Sequence, residues 1–137
     1  MSWLNWISLG SLSAMIAVGM GAFGSHALRA KLSERHLEVF QLSTHYQLIH
    51  ALALIAVGLV ASRMDHPGIK IAGFSFLAGT VLFCGSLYGL TLTKLRLGIV
   101  TPIGGVAFIT GWAALAWATL PLSLIHISEP TRPTPLS

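Results

Sequence analysis

Four polar side chains that could do chemistry fall close together in an otherwise apolar stretch: His45, Tyr46, Gln47 and His50. On a helix, Tyr46 and His50 are four residues apart and share one face. Because imidazole nitrogens are common metal ligands, that face could hold a metal ion or a polar ligand. His45 and His50, five residues apart, point to different faces. The favoured interpretation is therefore structural, with these groups bonded to backbone or to neighbouring helices.

A second candidate region is the glycine-rich segment Gly21-Ala22-Phe23-Gly24-Ser25, which leads into His26. Gly24 suits a helix end in the left-handed conformation, and His26 just beyond it suits the negative end of the helix dipole. A functional interpretation would bring His26 near His50 across the molecule. A phosphate loop is not indicated, because the segment lacks the preceding strand and the following Lys-Ser/Thr pair.

Motifs of known catalytic chemistry are missing from the sequence. It contains no nucleophile–base pair, no paired carboxylates and no nucleotide-binding motif. Cys84 is the one cysteine, which excludes an internal disulfide and a cysteine-based zinc site. The prediction is a protein that is not an enzyme and that uses no metal or other cofactor.

The composition is that of a membrane protein. Of the 137 residues, 54% are hydrophobic and 9% are charged, whereas about a quarter of the residues of an ordinary soluble domain are charged. The 8 Lys and Arg residues exceed the 4 Asp and Glu residues, but they are scattered rather than clustered as nucleic-acid binding requires. The lipid bilayer is the expected partner, and nucleic acid is not.

Four segments are long and apolar enough to cross a bilayer core of about 30 Å. Trp3 and Trp6, at the start of the first segment, are expected to anchor it at the interface. Ser33, followed by Glu34, predicts a helix start ahead of the second segment. The predicted fold class is an all-α membrane protein, a compact bundle of four transmembrane helices in a single domain of residues 1–120. The predicted spans are residues 4–23, 42–62, 71–93 and 99–120.

The last stretch, residues 121–137, has a different character and is left out of the fold prediction. Residues 122–132 resemble the translated read-through of a transposase sequencing adapter. On that interpretation the stretch is non-native and the true C-terminus is missing. The alternative is a genuine disordered, proline-rich tail.

Small residues recur in steps of three and four along three of the spans. Helices in lipid associate through close backbone approach, so such rows are expected at helix contacts. A mean step near 3.5 residues keeps one face toward a partner and indicates left-handed crossing. The predicted packing residues are Gly10, Ala14, Ala17, Gly21, Gly24, Ser75, Gly79, Ser86, Gly89, Gly104, Ala107 and Gly111.

Four ordered motifs carry a family resemblance. They are Gly21-Ala22-Phe23-Gly24 with His26, Tyr46-Gln47 with His50-Ala51-Leu52-Ala53, Leu82-Phe83 with Gly85-Ser86-Leu87-Tyr88, and Thr101-Pro102 with Gly104-Gly105, continuing to Phe108 and Gly111-Trp112. Together they resemble a family of small four-span membrane proteins of unknown function, the YgdD and YwdK type, which includes a short eukaryotic relative. Ser25 stands where that family more often has alanine. The resemblance implies four helices in an inner or plasma membrane and supplies no activity.

The loop charges predict an orientation. The opposite side of the bundle holds only Arg63 and Lys70, so the positive-inside rule places the first and third loops in the cytoplasm and both termini outside. The basic residues of the first and third loops are Arg29, Lys31, Arg35, Lys94 and Arg96. The predicted location is the bacterial inner membrane, as a multi-pass protein.

Function stays open between classes. The first, third and fourth spans carry no charged residue, whereas ion-coupled carriers usually place ionisable groups in the membrane. This favours a structural or accessory component that packs against another membrane protein or a second copy of itself. A metal-dependent enzyme using His26, His45 and His50 is the least favoured class. The alternative is a small oligomeric transporter or channel, lined by Thr80, Ser86, Tyr88, His50 and Gln47.

Overall fold

Four long helices make up the computed structural model, which describes residues 2–128 of the chain. All four are long and apolar enough to cross a membrane. The predicted all-α, four-span fold class is therefore confirmed. The helices are α1 (Trp3–Leu28), α2 (Glu34–Ala61), α3 (Pro67–Thr93) and α4 (Val100–Ser128).

The glycine-rich end of the first span is not a helix end. Gly24 has right-handed helical angles, with φ −63°, and no glycine in the described residues has a positive φ. The predicted left-handed ending at Gly24 is therefore wrong. The segment Met20–Gly24 instead forms a π-helical turn, and α1 continues through it to Leu28.

The start of α2 confirms the predicted cap. The Ser33 side chain accepts a hydrogen bond from the His36 backbone N–H at 3.2 Å, and Glu34 lies in the first turn. The helix has 28 residues, about 42 Å at 1.5 Å per residue. Since the bilayer core is about 30 Å thick, the helix is longer than the core requires.

The ends of α3 follow from local chemistry. Pro67 opens the helix where its missing N–H is no loss, and the His66 ring nitrogen accepts from the Gly68 backbone N–H at 2.9 Å. At the other end Lys94 adopts the left-handed conformation with φ 59°, and its N–H bonds to the Gly89 carbonyl. A glycine usually occupies that position.

The bundle is built from two tightly packed pairs, α1 with α2 and α3 with α4, which meet along α2 and α3. Glycines bring the backbones together within each pair. A Cβ atom added at Gly10 of α1 would lie 2.6 Å from the Ala51 carbonyl oxygen of α2, and one at Gly104 of α4 would lie 2.7 Å from the Phe83 Cα of α3.

Trp6 belongs to the core and does not anchor the protein at the interface as the sequence suggested. Its side chain is 1% exposed, and the ring lies over Gly73 of α3, where no side chain intervenes. Trp3, at 41% exposure, keeps a position suited to the interface. The first pair thus inserts a large aromatic ring into the second.

The fourth helix runs through Pro121 to Ser128, the last residue that the structure describes, beyond the predicted span end at residue 120. Residues 129–137 lie outside the described residues, and with them the C-terminal part of the segment assigned to adapter read-through. The interpretation of residues 122–132 stays a prediction.

Candidate functional site

The structure separates the predicted polar cluster into exposed and buried members. His26 and His45 are exposed, and Tyr46 is 37% exposed. Gln47 and His50 are buried, with exposed fractions of 5% and 4%. Because α1 and α2 run antiparallel, Gly24 packs beside Phe40. That contact places His26 near the start of α2, several turns from His50. His26 and His50 therefore do not come together.

His45 lies in a shallow surface groove near the same end of the bundle. The groove has a volume of about 380 Å³, and Glu38, Gln41 and Leu42 complete its lining. Neither Gln47 nor His50 takes part in it. His45 therefore belongs to a different surface from the two buried members of the cluster.

Gln47 joins three helices through one amide group. Its Oε1 accepts a hydrogen bond from the Tyr88 hydroxyl of α3 at 2.6 Å. Its Nε2 donates toward the Ser13 carbonyl of α1 at 3.2 Å and the Ser13 hydroxyl at 3.3 Å. The Tyr88 ring in turn packs against Phe40, with ring centroids 5.5 Å apart. The Gln47 side chain is thus used to hold α1, α2 and α3 in register.

His50 joins α2 to α4. Its Nδ1 lies 2.7 Å from the Tyr46 carbonyl oxygen, and its Nε2 lies 3.1 Å from the Trp112 indole nitrogen. A carbonyl only accepts and an indole N–H only donates. The hydrogen-bond pattern therefore assigns the neutral tautomer with its hydrogen on Nδ1. The ring also stacks on Phe108, with centroids 3.5 Å apart and planes 11° apart.

This arrangement leaves His50 without a lone pair for a metal ion. Both ring nitrogens already have partners, and a metal would need to displace the Trp112 indole. Within residues 2–128, no group of three or more His, Cys, Asp or Glu side chains could hold a metal ion. The geometry suits a structural use of the imidazole.

A third set of polar contacts surrounds a π-helical turn at Thr80–Cys84 in α3. Together with the contacts of Gln47 and His50, it forms what we call the polar centre. The buried Ser43 hydroxyl of α2 donates to the Cys84 carbonyl at 3.0 Å, and the Thr80 hydroxyl donates to the Phe76 carbonyl at 2.8 Å. Side-chain hydroxyls thus satisfy carbonyls around the irregular turn. π-helical turns are rare and often mark functional sites.

Sequence reasoning missed Ser43, and it found Phe108 and Trp112 only as members of a family motif with no role assigned. The partners of Ser43 and Trp112 are 41 and 62 residues away along the chain. Contacts at such distances, including the stacking of Phe108 on His50, leave no short-range pattern in the sequence. The sequence signal that did exist was the unusual density of polar groups at residues 45–50.

The predicted packing residues are buried or half-buried. Gly89 is half-buried as well, but it faces Leu95 and Leu97 of the third loop rather than another helix. Ser86 of α3 forms a hydrogen bond with Thr101 of α4. The buried members are Gly10, Ala17, Gly79, Ser86, Gly104 and Gly111, and the half-buried members are Ala14, Gly21, Gly24, Ser75, Gly89 and Ala107.

The four helices carry few charged residues, and buried polar side chains form hydrogen bonds between them. These features define a small four-span integral membrane protein. The family described as "Protein of unknown function (DUF423)" matches residues 20–105. The chain belongs to this family, whose molecular function is unknown.

Bacterial membrane proteins resemble the chain over most of its length. It is 47% identical over 116 residues to a UPF0382 membrane protein of Staphylococcus epidermidis, covering 84% of this chain and 94% of the relative. It is 42% identical over 117 residues to the UPF0382 membrane protein YwdK of Bacillus subtilis, covering 84% and 95%. The predicted family resemblance is confirmed. No solved structure matches the chain.

Proposed function

We propose that this protein is a non-catalytic accessory component of the bacterial inner membrane, which packs against another membrane protein or a second copy of itself. The observation that carries this proposal is that the buried Gln47 and His50 side chains form hydrogen bonds to neighbouring helices. Gln47 bonds to α1 and α3, and His50 bonds to α4. These are the groups that a ligand site or an ion path would need.

The pairing extends to the other residues that the sequence predicted as channel lining. Thr80 bonds to the Phe76 carbonyl, and Ser86 bonds to the Phe83 carbonyl and to Thr101. Tyr88 bonds to Gln47. Hydrogen bonds between membrane helices hold a bundle together. This use of the polar residues supports an accessory role over the transporter or channel alternative.

The inner membrane is proposed on the type of span. Outer-membrane spans are β-barrel strands, whereas all four candidate spans in residues 2–128 are helices. The relatives carry the name membrane protein and come from bacteria.

The outer faces of α1 and α4 offer the surface for a partner. In the 18-residue apolar stretch of α1 that could cross a membrane, only 11% of the residues are buried inside the bundle, against 44% in the corresponding stretch of α2. Phe23 of α1 and Ile109 of α4 are 77% and 69% exposed. A photo-reactive benzoylphenylalanine at either position would sample what lies against that face.

The test is photo-crosslinking of the full chain in bacterial membranes. We expect an adduct of one defined mass at position 23 or 109, either a second protein or a dimer of the chain. Adducts with lipid alone at both positions would contradict the proposal. Solute release from liposomes holding the purified protein, lost in the variant Gln47→Leu, would instead favour the channel.

A further inference from the structure

We propose that the groove beneath the loop between α3 and α4 binds the headgroup of an anionic phospholipid. The groove has a volume of about 270 Å³ and is lined by Ser86, Leu90, Arg96, Leu97, Gly98 and Thr101. It opens where the membrane-spanning helices meet the loop. The proposal concerns a ligand site and goes beyond the accessory role.

The base of the groove is closed by paired hydroxyls. Ser86 donates to the Phe83 carbonyl at 2.9 Å and lies within hydrogen-bond distance of Thr101. Since Ser86 has a single hydrogen, Thr101 donates to it. Both hydroxyl hydrogens are therefore engaged within the protein, and the bond between Ser86 and Thr101 joins α3 to α4 at the base of the groove.

The hydrogen-bond donors that we assign to the ligand come from the loop residues that line the groove. Arg96 contributes a guanidinium group, whose fork of N–H groups matches a phosphate. Across residues 2–128, the backbone N–H groups of Arg96, Leu97 and Gly98 have no backbone acceptor. Lys94 adds a second positive charge, and residues 94–99 contain no Asp or Glu. The loop thus offers positive charge and free N–H donors to an anion.

Apolar side chains beside these donors select a lipid over a free phosphate ion. Leu90 and Leu97 line the groove, while Leu95 and Ile99 are 55% and 75% exposed. Basic and apolar residues alternate along the loop. At a membrane surface the apolar side chains enter the acyl region and the basic ones remain at the phosphates. A ligand that carries both a phosphate and acyl chains fits this pattern.

Native mass spectrometry of the purified full chain tests the proposal. The protein is equilibrated with equal amounts of phosphatidylglycerol and phosphatidylcholine, and the lipid that stays bound is counted. We expect retention of phosphatidylglycerol and an affinity about fivefold lower in Arg96→Gln, the effect of one basic residue near an anionic surface. Lys70→Gln, which removes a basic residue at the opposite end of the bundle, should bind like the parent protein.

A second variant separates binding from folding. Lys94→Gly removes a charge and places glycine where the left-handed conformation favours it, so the bundle should stay at least as stable while phosphatidylglycerol binding falls by a similar factor. Equal retention of the two lipids, unchanged binding in both loop variants, or displacement of the lipid by inorganic phosphate would overturn the proposal.

Discussion

At the scale of single residues, the hydrogen bond between Trp112 and His50 is the contact most open to measurement. Trp112→Phe keeps an aromatic ring and removes the indole N–H that His50 Nε2 accepts. Interhelical hydrogen bonds in membranes contribute about 0.6 to 1.7 kcal/mol. We expect the free energy of unfolding in detergent micelles to fall by about that amount.

Trp117→Phe is the matched control for this change, because Trp117 lies on the same helix, is exposed to a similar extent (53% against 44% for Trp112) and does not bond to His50. Its unfolding free energy should stay close to that of the parent protein. Equal losses in the two variants would show that the ring, and not the N–H, matters at position 112.

We expect the two buried serines Ser43 and Ser25 to respond differently when each is replaced by alanine. Ser43 donates to the Cys84 carbonyl, whereas Ser25 has the one buried side-chain oxygen or nitrogen in the described residues without a hydrogen-bond partner. Removing a paired group leaves its partner unsatisfied, while removing an unpaired one relieves a desolvation cost. We expect Ser43→Ala to lower the unfolding free energy by about 1 kcal/mol and Ser25→Ala to leave it unchanged or raise it.

Thermal unfolding of the two variants side by side checks this prediction. A loss in Ser25→Ala equal to that in Ser43→Ala would contradict it.

At the scale of elements, the two adjacent glycines Gly104 and Gly105 of α4 differ in their contact with α3. A Cβ atom at Gly104 would lie 2.7 Å from the Phe83 Cα and Cβ, while one at Gly105 would meet no described atom within 4 Å. Overpacking of this kind costs about 1 to 3 kcal/mol. We expect Gly104→Ala to destabilise the protein and Gly105→Ala to be neutral or slightly stabilising.

Unfolding curves of the two alanine variants give the test. The pair shares sequence neighbourhood and helix propensity, so a difference between them measures the tertiary contact alone. Similar curves would mean that α3 and α4 can shift enough to accommodate a methyl group at Gly104 without loss of stability.

Helix positions could be predicted from the sequence because length and apolarity decide them, and the Ser33 cap because its chemistry is local. The two π-helical turns could not. In α3 the buried positions step from Gly79 to Cys84, five residues instead of three or four. The extra residue is accommodated through contacts with Ser43 on α2 and Gly104 on α4, which a local pattern does not contain.

At the scale of the whole molecule, the loop charges predict its orientation. Five Lys or Arg residues lie in the first and third loops or in the first turn of α2, and two lie on the opposite side. The native cysteine, Cys84, is buried and gives a quiet background for labelling. We expect a membrane-impermeant maleimide to label Asp65→Cys in intact cells and to label Lys94→Cys only after the cells are opened.

The opposite labelling pattern would reverse the orientation, and with it the leaflet that holds the proposed lipid groove. Labelling of both variants in intact cells would instead indicate a mixed population. Cell lysis before labelling serves as the positive control for both positions.

The polar centre was only partly predictable, because its contacts depend on how all four helices are arranged in the molecule. Gln47 and His50 could be singled out by their types, but their use depends on Ser13, Tyr88 and Trp112, which come from three other helices. Spacing along one helix cannot tell a ligand face from a face that bonds to its neighbours. The pairing of whole helices decides between them.

A membrane that stores energy as an ion gradient loses it through any protein that lets protons hop across. Hopping needs a row of groups that each accept a proton on one side and release one on the other. At His50 such a row of groups is interrupted. The Trp112 indole N–H donates a hydrogen bond to His50 Nε2, and an indole can donate a hydrogen bond but not accept one. We therefore expect a cell to carry many copies of this protein without discharging its membrane.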